Sequence, residues 1–226
     1  MSRFVAIIPA RGGSKEIPNK NLFLLNDQPL LLYCIKSLQA SKLEDFFVST
    51  DCESIIEFCV QNKINYIKRP SNLAEDQSPT IDCIKHAISY LGLNEQDFVL
   101  TVQATSPLIE VSDVNNVLDK LGRHESVITV SEHKKILWSS KKENLFPLNH
   151  DPKNRLRRQD SEKVFSETGS IYGIRVKQVL EDNTLCGVKN VGCVEIPKSR
   201  SFELDDYEDA KILESLIKNK KDLKNS

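Results

Sequence analysis

Tryptophan and methionine occur once each in this chain, and histidine only four times. His86, His124, His133 and His150 fall at no metal-ligand spacing, and there is no Cys-x-x-Cys pair, so a zinc centre is not expected. The six cysteines, at 34, 52, 59, 83, 186 and 193, are scattered through predicted helices and strands without the pattern of a disulfide framework. Reduced, mostly buried thiols follow, and with them a cytoplasmic setting. No stretch is apolar over the length needed to cross a bilayer. The short run from Phe4 to Pro9 leads at once into a polar loop, unlike a secretory signal. Neither charge is in excess: 31 Lys and Arg stand against 32 Asp and Glu. That balance gives no electrostatic reason to expect nucleic acid or a membrane as partner.

What is present suits one large α/β domain spanning residues 1–226, with 39% hydrophobic and 28% charged residues. Strands are predicted at 3–8, 46–49, 64–68, 98–102 and 127–130. Helices are predicted at 29–40, from Asp51 to Cys59, at 81–91 and at 111–121, with Asp27 and Asp51 as expected caps. This alternation argues for a mostly parallel sheet with helices on both faces. The rhythm breaks at residues 133–167, where Trp138, Pro147, Pro152 and clustered charges replace clean periodicity. So long an irregular stretch is unusual inside a compact domain, and Trp138, Leu145 and Phe146 give it something to pack. It reads as an inserted dimerisation arm rather than as disorder. Strands at 170–174 and 191–196 and a helix at 206–218 complete the chain.

The first strand ends in Pro9-Ala10-Arg11-Gly12-Gly13-Ser14-Lys15, followed by Lys20 and Asn21. Paired glycines let backbone amides approach a ligand and tolerate positive φ. Arg11, Lys15 and Lys20 add three cations, and Ser14 a hydroxyl. Such a loop at a strand's carboxyl end suits a polyphosphate. It is not a Walker A loop, because no second glycine directly precedes the lysine. Other strand ends supply Ser49-Thr50-Asp51 and Gln103-Ala104-Thr105-Ser106, small polar side chains able to read a base or a sugar. A second polar loop, Arg69 to Thr80 with Ser78 in it, falls along the same edge. Either loop taken alone is also compatible with ordinary turn and capping chemistry. Further on, Glu203 and Asp205 lie on one side of an extended segment and suit a magnesium ion bridging phosphate oxygens. Asp206, Glu208 and Asp209 suit the N-terminus of the last helix instead. Arg155, Arg157 and Arg158 offer forks for carboxylate or phosphate, or form a solvated basic stretch.

Together these motifs resemble the N-acylneuraminate cytidylyltransferases, also called CMP-sialic acid synthetases. The likeness runs through Ile8–Lys15, Ile17-Pro18, Lys20-Asn21, Val48–Asp51, Arg69-Pro70, Leu73-Ala74 with Asp76, and Ser78–Thr80. It continues in Gln103, Thr105–Leu108, Arg158–Asp160, Glu167-x-Gly169-Ser170-Ile171-Tyr172 and Glu203-x-Asp205. The resemblance implies a Rossmann-like nucleotidyltransferase acting on CTP with Mg2+: the anomeric hydroxyl of a nonulosonic acid attacks the α-phosphate and expels pyrophosphate. It implies a homodimer whose arm reaches the partner's active site. Arg11, Gly12, Gly13, Ser14, Lys15 and Lys20 would bind the triphosphate, with Arg11, Lys20 and Asp205 catalytic. Asn21, Arg69 and Ser78 would recognise cytosine and ribose. Gln103, Thr105, Ser106, Arg158, Gln159 and Tyr172 would hold the sugar acid, and Asp205 with Glu203 the metal. The proton acceptor stays open between a carboxylate and a metal-bound hydroxide. The chain departs from the family's usual pattern at Ala104, Ile109, Thr168 and Glu203. Ile109 and Thr168 are expected to alter the grip on the acid. N-acetylneuraminate, legionaminate and pseudaminate remain open as substrates, and a Kdo-type acid is disfavoured by the double-glycine loop. Another sugar nucleotidyltransferase and a catalytically weak nucleotide-binding homologue are the competing readings.

Overall fold

The computed structural model describes residues 2–157, 160 and 162–225. The first half lays down β1 (Phe4–Pro9), the hairpin of β2 (Leu24–Leu25) and β3 (Gln28–Pro29), α1 (Leu30–Gln39), β4 (Asp45–Thr50) and α2 (Glu53–Gln61). Next come β5 (Tyr66–Lys68), α3 (Thr80–Tyr90), β6 (Phe98–Val102), α4 (Val111–Lys120) and β7 (Ser126–His133). The remainder adds β8 (Trp138–Lys141), β9 (Asn144–Pro147), β10 (Val164–Arg175), α5 (Val176–Glu181), β11 (Val191–Glu195) and α6 (Tyr207–Asn225). Among the described residues no helix is long and apolar enough to cross a membrane.

The main sheet has seven strands in the order β11-β7-β10-β6-β1-β4-β5. β4, β5 and β6 run parallel with β1, and β11 with β7, while β10 lies antiparallel between β6 and β7. Side-chain alternation divides the apolar strands between two cores. Val5, Ile7 and Val99 pack under Ile84, Ala87 and Ile88 of α3 and Val176 and Val179 of α5. Ala6, Ile8, Leu100 and Val102 pack under α1, α2 and α4. The central strands therefore read as continuous apolar runs, as expected where both faces are covered. Burial pushes the Cys34 thiol up to about 12 and that of Cys59 up to about 11, so both serve as neutral core side chains.

Several expectations change at the level of caps and connections. Asp27 does not cap α1. Asn26 and Asp27 take left-handed φ values of 46° and 61° in the turn between β2 and β3, and Pro29 stands at the cap position. Asp51 does not cap α2 either, because Cys52 stands there, and the Asp51 carboxylate accepts a hydrogen bond from the Gly12 amide at 3.2 Å. The segment expected to be irregular is shorter, since β7 runs on to His133 and β10 begins at Val164. Between them β8 and β9 pair as an antiparallel hairpin. The apolar side chains Trp138, Leu145 and Phe146 on that hairpin are exposed.

Candidate active site

β1, β4 and β6 are parallel, so their carboxyl ends share one edge of the sheet. At that edge the Ala10 amide continues the ladder by donating to Ser49 O at 2.9 Å, and the chain then breaks away as the glycine loop. Gly12 is required here for close approach: a Cβ on it would stand 2.8 Å from the Cβ of Cys52. Neither Gly12 nor Gly13 takes a positive φ, so the pair serves proximity rather than left-handed backbone. Gly13 faces open space. The loop is pinned at its far end by Asn21, whose buried side-chain amide donates to Arg11 O at 2.9 Å, and by Ile17, buried against Leu25, Leu30, Leu108 and Leu204.

A cleft of about 330 Å³ opens along the edge. Arg11, Gly13, Ser14, Lys20 and Asn21 line it from the first loop, Arg69, Asp76 and Ser78 from the second, and Gln103 and Thr105 from the end of β6. All of these but Asp76 are predicted residues, and they come together although they span more than ninety positions of sequence. Arg69 has a side chain only 5% exposed, its Nη2 lies 3.9 Å from Asp51 Oδ1, and its Nε has no hydrogen-bond partner. The residue lines the cleft, while that Nε is itself buried. Ser78 holds its own loop instead, its hydroxyl donating to Asn72 O at 2.8 Å.

One partner was not foreseen from the sequence. Asp76 receives Arg11 Nη1 at 2.9 Å and Lys15 Nζ at 2.7 Å. The hydrogen bond from Lys15 holds its carboxyl below the usual carboxylate range against the opposing effect of desolvation, and the charges of Lys15 and Arg11 add to the lowering. The position stood out within a motif, but its link to the glycine loop is a long-range contact that no local spacing announces.

The acidic pair also reaches this edge. β11 ends at Glu195, and the chain returns along the sheet edge until the Leu204 amide donates to Thr105 O at 2.8 Å. Half-buried Glu203 accepts from Ser106 Oγ at 3.1 Å and Thr105 Oγ1 at 3.5 Å. Burial raises its carboxyl above the usual range, and Asp205 adds to the rise, while the two hydroxyls and Lys20 oppose it. The Asp205 side chain is 74% exposed and stands 3.4 Å from Lys20 Nζ, a cation whose own side chain is only 14% exposed. Asp206 Oδ1 accepts from the amides of Glu208 and Asp209 at 2.8 and 3.0 Å, so it serves the start of α6 as expected.

Other predicted residues lie apart from the cleft wall. Ser106 stands behind Thr105, with its hydroxyl on Glu203. Half-buried Tyr172 donates to Glu167 Oε2 at 3.2 Å; burial first, and then the Glu167 carboxylate, raise its phenol. Arg158 and Gln159 lie outside the described residues. Ile109 and Thr168, the two departures expected to alter the grip on the acid, both point away from solvent. Ile109 is a core side chain under α1 and α4, and the buried Thr168 hydroxyl is spent on Thr129 Oγ1 at 2.7 Å and Thr129 O at 3.2 Å.

Comparison with known proteins agrees with this geometry. The N-acylneuraminate cytidylyltransferase of Streptococcus agalactiae is 28% identical over 213 residues, 91% of this chain and 51% of that protein, so the chain spans about half of its length. The pseudaminic acid cytidylyltransferase of Campylobacter jejuni is 27% identical over 232 residues, 95% of this chain and 96% of that protein. In fold, the chain matches a solved CMP-2-keto-3-deoxy-manno-octonic acid synthetase complexed with CTP with a TM-score of 0.73 at 16% identity, covering 97% of this chain and 100% of that one. The family model described as cytidylyltransferase matches residues 5–210, most of the chain, and the chain belongs to that family.

Proposed function

We propose that this protein transfers the cytidylyl group of CTP to a nonulosonic acid. The observation that carries the proposal is the single cleft with Arg11, Ser14 and Lys20 at one side and Gln103 and Thr105 at the other. The anomeric hydroxyl oxygen attacks the α-phosphorus, the bond between that phosphorus and the α–β bridging oxygen breaks, and pyrophosphate leaves with the bonding pair. The protein's work in such a reaction is positioning and charge neutralisation. Arg11, Lys15 and Lys20 face the triphosphate, Arg69 the nucleoside, and Gln103 the acceptor. Asp205 and Glu203 would hold a divalent cation. Two carboxylates completed by substrate phosphates are a donor set that suits magnesium, and among the described residues no three acidic, histidine or cysteine side chains form a cage of their own. A magnesium ion there would supply positive charge opposite the phosphate oxygens.

Asp76 adds a consequence. Its carboxylate sits where it neutralises two of the three loop cations, which makes it a competitor of the triphosphate. Asp76→Asn is expected to tighten metal-free CTP binding a few-fold, the scale of exposed ion pairs. Weaker binding in a calorimetric titration would instead make Asp76 an organiser of the cations.

The reading extends to a homodimer built on the arm at 133–167. Exposed Trp138, Leu145 and Phe146 on the hairpin support it, as does the open hollow of about 1080 Å³ beside it, lined by His133, His150 and Arg155 among others. Six free cysteines support a reducing compartment such as the cytoplasm. The test of function is pyrophosphate release from CTP and magnesium with a panel of acids: pseudaminate, N-acetylneuraminate, legionaminate and a Kdo control. Release with one of the first three is expected. Silence across the panel, with CTP demonstrably bound, would return the reading to a nucleotide-binding homologue.

A further inference from the structure

The stretch from 201 to 206 carries Glu203 and Asp205 but belongs to no helix or strand. Without a ladder of its own, its position depends on the ties it makes to neighbouring elements. Two are already described: Leu204 to Thr105 O, and Glu203 to the hydroxyls of Thr105 and Ser106. At its far end the amides of Asp205 and Asp206 donate to Asp209 Oδ2 of α6 at 3.0 and 3.2 Å, and a further tie stands at the head of the stretch. Arg200, closing a short turn at Lys198–Arg200, reaches across 87 positions to Asp113. Its Nη2 donates to Asp113 Oδ1 at 3.0 Å and its Nη1 to Asp113 Oδ2. Nη1 also donates to Leu108 O at 3.3 Å.

The receiving end of this contact is unusually fixed. Asp113 has a side chain only 4% exposed and sits in the first turn of α4, where its Oδ2 accepts from the Glu110 amide at 2.8 Å. A guanidinium fork on such a carboxylate is a charge-assisted, directional tie that defines orientation as well as distance. Leu108 lies in the loop that leaves β6, the same loop that presents Gln103 and Thr105 to the cleft, and Asp113 lies in the first turn of the helix that follows it. Arg200 therefore refers the acidic stretch to the frame of the acceptor side.

We propose that Arg200 is a positioning residue: through Asp113 and Leu108 it sets the register of 201–206, and so holds Asp205 and Glu203 at the cleft beside Lys20. The proposal rests on the reading of Asp205 and Glu203 as the metal-side carboxylates. It differs from a general packing role because the consequence is confined to one stretch and one ligand. Loss of a group that orients metal ligands typically costs about 10–100-fold in metal affinity or activity.

The experiment compares the full chain with Arg200→Leu and Arg200→Lys in two measurements. The first is hydrogen exchange of peptides covering 201–206, with the remainder of the chain as reference. The second is the magnesium concentration giving half-maximal pyrophosphate release, with CTP binding in chelator as control. Arg200→Leu should accelerate exchange locally, raise the magnesium requirement about 10–100-fold, and leave chelator CTP binding unchanged. Arg200→Lys should fall between, keeping charge but losing the fork. If Arg200→Leu does not fold, Arg200→Lys carries both measurements. Unchanged exchange over 201–206, or exchange that rises evenly along the chain, overturns the proposal. Asp205→Ala in the same assay separates the two readings: a magnesium requirement it does not move refutes the metal assignment, while the exchange result still decides the role of Arg200.

Discussion

Asp205→Ala should lower turnover by about 10²–10³-fold, the usual cost of removing a group that manages charge at a reacting centre. The fold should not notice. The side chain is 74% exposed, and Lys20, at 3.4 Å, is the ionic partner it would lose. Exposed pairs of this kind contribute little to stability. The melting transition should therefore stay close to that of the parent chain while pyrophosphate release collapses. Two physical terms act together in the loss. The carboxylate that would hold a cation is gone, and Lys20, freed from its partner, is left to a different position in the cleft. Asp205→Asn separates them in part, because it keeps the shape and removes the charge. If Asp205 is a direct ligand, both variants should need more magnesium for half-maximal release, and excess magnesium should recover part of the loss. Full turnover by Asp205→Ala, with a normal melt, would sink the assignment.

The parts of this structure legible in the sequence are those that local chemistry dictates. Val5 to Ile8 and Phe98 to Val102 announce buried parallel strands because both of their faces meet helices, and Thr101 is the one polar residue in either run. Ile84, Ala87 and Ile88 announce α3 because they repeat at helical spacing. The glycine loop is legible through its cations and the lack of Cβ atoms. The partner that Gly12 approaches was not, since it is the distant Cys52 rather than a ligand or a left-handed turn. The β8–β9 hairpin escapes for the opposite reason to the core strands. All of its residues are exposed, so neither face leaves an apolar period, and its turn takes Lys142 at a φ of 57° instead of a glycine. α5 has six residues, too few for a period to form. In the N-terminal part of β10 the sequence is polar: Ser166 donates to Ser131 O, and within the register shift between Glu167 and Tyr172 the Thr168 and Ser170 hydroxyls turn to Thr129 and to Thr168 O. The burial of Thr168 and Ile109 was likewise not legible, because a sequence position beside functional residues does not say whether its side chain faces ligand or core. The contacts of Asp76 and Arg200 bridge distant positions, and charged residues carry no mark of their partner.

Arg11→Ala is expected to reduce kcat/KM for CTP by about 10²–10³-fold, and the Asp76 contact makes the cause separable. In the free protein Arg11 and Lys15 share one carboxylate. Deleting Arg11 removes a cation from the cleft and leaves Asp76 to Lys15 alone, so the triphosphate meets a weaker field from both changes. Arg11→Lys restores charge without the planar fork and should recover only part of the loss. The double variant Arg11→Ala with Asp76→Asn decides between two roles, as a cycle does for residues in contact. If Arg11 mattered only as the counter-ion of Asp76, removing that carboxylate would return most of the activity. If the guanidinium grips phosphate, the double variant stays low, because no other group in the loop reproduces its geometry. The second outcome is expected. Arg11 lines the cleft wall with Ser14 and Lys20, and Asn21 fixes its backbone from behind, so the residue stays at the cleft edge whether or not Asp76 carries charge.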